Sequence, residues 1–154
     1  MLSDSDHIRN LVSTYVRNVD ARNHQAQITL FTEDAPVRVL ARSGEDEALR
    51  HGPVIGGKAF AEASAALRRP IPASRTTRHC TVDHLIEITD RSATLHAQFL
   101  LLHTDADGSA GSIVSVAETG IYRFSFRDDG DGWRIAGLDI VVDAPAGGEQ
   151  STAP

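Results

Sequence analysis

Lysine is nearly missing from this chain: Lys58 is the one ammonium group, beside 14 arginines. Cysteine is as scarce. Cys80 stands alone, so no disulfide can close within the chain, and a reducing cytoplasm is the expected compartment. Aromatic residues make up only 5% of the 154 positions, and no apolar run approaches the roughly 20 residues of a membrane span. The opening MLSDSDHIRN lacks the basic and apolar regions of a signal peptide, so a soluble protein without a membrane partner is expected. Positive net charge is also lacking. A formal charge of −6 argues against nucleic acid and anionic membrane surfaces as partners, since both call for a basic patch.

What is present reads as one domain over 1–143, long enough to bury a core and keep a cavity. Ile8, Leu11, Val12, Tyr15 and Val19 recur at helical spacing from Asp4 to Asp20, with Ser3, Asp4 or Ser5 as cap. Asn23 can cap a short second helix over about 24–33. PVRVLAR (36–42) alternates like a strand, and the polar stretch 43–57 has room for a short strand near 50–54. A third helix is expected from Lys58 to Arg69, ended by Pro70 and Pro72. Four long strands follow, 76–88, 91–104, 112–127 and 132–142, separated by the turn sequences TDRS, DADGSAG and DDGDG. The tail 144–154 has no periodicity and is expected to be disordered. The pattern predicts an α+β fold: three N-terminal helices packed on a long, curved antiparallel sheet that closes into a cone around a small-molecule pocket.

Three stretches carry a family resemblance. DHIRNLVSTYVRNVDARNHQAQITLFTEDAPVRV (6–39), with its Leu30-Phe31-Thr32-Glu33-Asp34 signature, resembles the opening of SnoaL-like proteins of the nuclear transport factor 2-like superfamily. TTRHCTV (76–82) resembles that family's Thr-Arg-His strand, and DGWRIAGLDIVV (131–142) its closing strand. The resemblance implies a cone-shaped fold, often a homodimer through the sheet, with a largely apolar pocket. In the scytalone-dehydratase-like branch an Asp at the end of the first helix works with two strand histidines. The matching positions are Asp20, His79 and His103. Val19 stands where that branch has a tyrosine, so the same dehydration does not carry over.

Each candidate also has a chemical reading. Asp20 sits at a helix C-terminus, where its charge opposes the helix dipole by roughly 0.3–1 kcal/mol and calls for compensation. It can bond the backbone of the next helix or orient a histidine base. His79 suits proton transfer near neutral pH. Strict alternation puts His79, Thr81 and Asp83 on one strand face and Cys80, Val82 and His84 on the other, unless a bulge resets it. His103 ends an apolar face made by Ala93, Leu95, Ala97, Phe99 and Leu101, and His96 falls opposite with Gln98. Glu118 interrupts a face shared with Val114, Val116, Tyr122, Phe124 and Phe126, so it is either paired, with Arg38 or Arg123, or a general acid of raised pKa. Arg38 is the candidate for an oxyanion. Tyr15, Phe99 and Tyr122 are the apolar candidates for substrate contact, with Tyr15 also fitting the core.

No HExxH or similar spacing suggests a metal. VIGGK (54–58) lacks the features of a phosphate loop, and no dinucleotide fingerprint follows a strand. The sequence therefore points to a cofactor-independent acid/base enzyme, a cyclase, dehydratase or isomerase, acting on a hydrophobic oxygenated small molecule of polyketide type. The alternatives are epoxide opening with Asp20 and Glu118 as base and acid, and a non-catalytic ligand-binding module.

Overall fold

The computed structural model describes residues 1–67, 70–107 and 111–144; Arg69 and the tail from 145 onward lie outside it. Helix α1 runs Asp4–Asp20. It starts on a capping box: the Asp6 N–H donates to Ser3 Oγ at 3.2 Å, and the Ser3 N–H donates to Asp6 Oδ2 at 3.1 Å. Asp4 and Asp6 also place negative charge at the positive end of the helix dipole. Ile8, Val12, Tyr15 and Val16 are buried, each apolar side chain contributing on the order of 2 kcal/mol relative to exposure.

Asn23 caps helix α2, His24–Gln27, through a 3.2 Å bond from the Ala26 N–H. This helix is shorter than its sequence suggests. The chain tightens into a 3-10 turn at Ile28–Leu30 and becomes extended at Phe31, which is buried and bridges Ile135. Burial of the Phe31 ring decides the ending over local propensity.

The strands are β1 (Pro36–Ser43), β2 (Asp46–Ile55), β3 (Arg75–Thr89), β4 (Ser92–Asp107), β5 (Gly111–Asp128) and β6 (Trp133–Asp143), with helix α3 (Gly56–Leu67) between β2 and β3. The excursion expected to hold one short strand is the ten-residue β2, paired with β1 as a hairpin. The described strands form one sheet in the order β2-β1-β6-β5-β4-β3, with the three helices packed on it. Every neighbouring pair is antiparallel except β1 and β6, which run parallel because the meander returns to the first hairpin from the far edge.

Two bulges reassign faces that simple alternation had assigned. In β3, Val82 lies opposite Gln98 but Leu85 lies opposite His96, so Asp83 and His84 share one partner position. Asp83 takes a left-handed φ of 54° and accepts from Gln98 Nε2 at 3.0 Å on the outer face. It therefore leaves the face of His79, and His84 turns inward toward α1. In β5, Leu101 pairs with Glu118 but Leu102 with Val116, leaving Ala117 as the extra residue. Val114 and Val116 consequently sit on the outer face, 62% and 56% exposed, and do not share the inner face of Glu118.

Inside, Tyr15 packs against Phe60, Phe31, Tyr122 and Phe124, with ring centroids 5.5–6.2 Å apart. Gly120 is buried beneath this cluster. A Cβ there would overlap the Val141 carbonyl oxygen and lie 2.6 Å from the Phe99 ring. Gly120→Ala is therefore expected to destabilise the fold by more than about 2 kcal/mol, the upper part of the overpacking range, read as a lower urea midpoint. An unchanged midpoint would contradict this packing.

Candidate functional site

Asp20 is the last residue of α1. Its carboxylate does not cap the next helix, a task Asn23 performs. It reaches 59 positions along the chain and accepts the His79 backbone N–H at 3.0 and 3.1 Å. Asp20 Oδ1 also lies 2.6 Å from His79 Nδ1. The two side chains are only 11% and 13% exposed, so the pair works in a low-dielectric setting. A carboxylate accepts only, so Nδ1 carries the proton in this bond. In the neutral ring Nε2 then holds the lone pair.

His79 lies on the wall of a cavity of about 650 Å³ that is bounded by the sheet, α1 and α3 and open on one side. Val19, Val37, Val39, Leu101, Ile140 and Val142 supply apolar wall. His103 and Glu118 line the same space, from β4 and β5. Burial pushes the Glu118 carboxyl above its ordinary range, against the opposing pull of His79, Arg50 and His103. Thus one imidazole backed by a carboxylate, a second imidazole and a part-buried acid of raised pKa face one chamber with largely apolar walls.

The other sequence candidates divide. Tyr15 and Tyr122 line the cavity, although each is only 2% exposed. Phe99 is not on its wall: it stacks on Tyr122 at 4.4 Å, within the packed core behind. Arg38 points the other way. Val37 and Val39 take the inward positions of β1, and Arg38 donates twice to Asp139, at 2.7 and 2.6 Å, on the outer face. It forms no pair with Glu118, and Arg123 is held by Glu47. His84, from the titratable run in β3, lies off the cavity, bonded to Thr81 Oγ1 at 3.0 Å, with burial pushing its pKa down.

Three basic side chains of the wall escaped the sequence reading: Arg22, Arg50 and His51. Arg22 follows α1 in a left-handed conformation, φ 55°, that no sequence signal announces. Arg50 and His51 are neighbours in β2, yet both line the cavity because the edge strand is irregular there. His51 pairs with Val39 and Leu49 with Leu40, leaving Arg50 without a register partner. Gly52 supports this with a φ of 93° and no room for a Cβ beside the Val37 carbonyl, 2.6 Å away. The legible signal was the Gly52-Pro53 step, which marks a break in strand pairing.

The raised pKa of Glu118 has a consequence for stability. The folded state holds this proton more tightly than the unfolded chain, so its contribution is full below the ordinary glutamate pKa and is lost as pH rises through the folded value. Glu118→Gln is accordingly expected to stabilise the protein at pH 7 relative to the parent, with the advantage gone near about pH 4. Urea unfolding at both pH values checks this; an equal difference at the two would refute the burial of an ionisable carboxyl.

Comparisons with known proteins agree with the geometry of the fold. No curated protein matches the sequence. Among solved structures, ActVI-ORFA from Streptomyces coelicolor is 14% identical with a TM-score of 0.67, over 90% of this chain and 96% of that one. The beta subunit of the benzoate 1,2-dioxygenase from Burkholderia mallei is 16% identical with a TM-score of 0.66, over 92% and 91%. An NTF2-like protein with a cystatin-like fold from Novosphingobium aromaticivorans is 19% identical with a TM-score of 0.64, over 90% and 81%. The family model of the SnoaL-like domain matches residues 1–139, nearly the whole described chain, and this protein belongs to that family.

Proposed function

We propose that this protein is a cofactor-independent acid/base enzyme acting on a hydrophobic, oxygenated small molecule of polyketide type in the cytoplasm. The reaction is a cyclisation, dehydration or isomerisation. The observation that carries this reading is the Asp20–His79 pair, with its imidazole on the wall of an apolar cavity that also holds Glu118 and His103. Asp20 holds the ring through Nδ1, which leaves Nε2 to take a proton from the substrate. The developing imidazolium is stabilised by the carboxylate behind it. Glu118, kept protonated more readily by burial, returns a proton to a leaving or enolic oxygen, with His103 as the other donor in reach of the same chamber.

His79→Ala is expected to lower turnover by about 10²–10⁴-fold and to lower stability by less than that, about 1–3 kcal/mol, because the ring N–H to the buried Asp20 carboxylate is lost while the backbone N–H of residue 79 remains. The assay is a panel of aromatic polyketide-type ketones in D₂O, read by mass spectrometry for deuterium uptake, ring closure or water loss. Full activity in the variant removes His79 from the mechanism. Ligands bound by the parent without any turnover would instead favour a non-catalytic binding module.

We also propose that a second copy of the chain covers the outer face of the sheet. Val82, Leu85, Val114 and Val116, from β3 and β5, are 43–63% exposed there, an apolar surface that suits a self-complementary two-fold contact. Light scattering is expected to give a dimer for the parent and a monomer for the Val114→Asp/Val116→Asp double variant. A monomeric parent overturns this.

A further inference from the structure

We propose that the cavity selects ligands that join an apolar ring body to a carboxylate, and that Arg50 is the residue that reads the carboxylate. This deepens the acid/base reading and rests on it for the cavity being the substrate site. The argument begins with the arginines. Eight described arginines have a carboxylate within 4.0 Å. Arg50 has none among the described residues, and it stands on the cavity wall at the exposed edge strand β2.

In a protein of net charge −6, a cation on the cavity wall is a local feature. The Asp20 carboxylate keeps its charge when bonded to a neutral His79, and Glu118 lines the same cavity, so the attraction for an anion is confined to Arg50, whose guanidinium has no carboxylate within 4.0 Å among the described residues. The guanidinium of Arg50 offers a planar fork of donors that matches a carboxylate. Behind it the wall turns apolar at Val39, Val54, Leu101 and Ile140, which suits a ring and not a small ion. Arg50 lines the same cavity as His79, His103 and Glu118, so a carboxylate held at Arg50 leaves the ring body in the chamber that holds the groups proposed to move protons.

The test is calorimetric binding of benzoate and 2-naphthoate, each against its primary amide, at low salt. At least one acid is expected to bind about tenfold more tightly than its amide, a size typical of a charge-assisted hydrogen bond. Arg50→Gln is expected to bring acid and amide within about twofold, and 0.5 M salt to shrink the gap in the parent. Amides that bind as well as acids, a preference that survives Arg50→Gln, or no acid binding at millimolar concentration each overturn the proposal. An acid preference retained when no turnover depends on His79 would sink the catalytic reading alone. His79-dependent turnover of neutral ketones without any acid preference would sink this one alone.

Discussion

The bond between the end of α1 and the start of β3 organises the rest of this molecule. Asp20 accepts both the backbone N–H and the ring N–H of His79, tying together two elements far apart in sequence. A carboxylate at a helix C-terminus is disfavoured by the helix dipole, and these donors offset that cost. One interaction thereby docks the helix on the sheet edge, sets the ring orientation and tautomer of His79, and leaves its second nitrogen available on the cavity wall. The same atoms that dock the helix also fix where His79 carries its proton.

The cavity survives because the aromatic residues are packed to one end of the enclosure. Tyr15, Phe31, Phe60, Tyr122 and Phe124 form the floor, with Phe99 stacked behind Tyr122. Smaller aliphatic side chains, among them Val19, Val37, Val39 and Ile140, line the walls and do not fill the space. A chain with few aromatic residues thus closes a core at one end and keeps a chamber at the other. The polar groups enter through irregular backbone: Arg22 by a left-handed turn, Arg50 and His51 by the uneven pairing of β2. A regular β2 would have turned one of Arg50 and His51 away from the cavity.

Much of the architecture was legible in the chain. The helical stripe from Ile8 to Val19, the capping Ser3 and Asn23, and the turn sequences between the last four strands gave elements close to those observed, because each is decided by neighbours in sequence. The alternation from Ala93 to His103 also held, and it placed His103 correctly at the end of an apolar face. Alternation misled where a bulge intervened. Val114 and Val116 were grouped with Glu118, and Asp83 with His79, but one extra residue in β5 and one in β3 reversed those faces. Arg38, the oxyanion candidate, lies between Val37 and Val39 in β1, and those neighbours face the cavity because Arg38 does not.

The sequence by itself determined the class of fold, the helix caps, the order of elements and the stock of groups able to move protons. Periodicity and turn chemistry are local, and local physics settles them. Only the tertiary structure decided which of those groups meet. The pairing of Asp20 with His79 and the presence of Arg50 and His51, not Arg38, on the cavity wall depend on strand register and on contacts between distant segments. A shift of a single residue in register exchanges inside for outside; a local step such as Gly52-Pro53 marks where pairing breaks, but the partner strand decides which side chains then face the cavity.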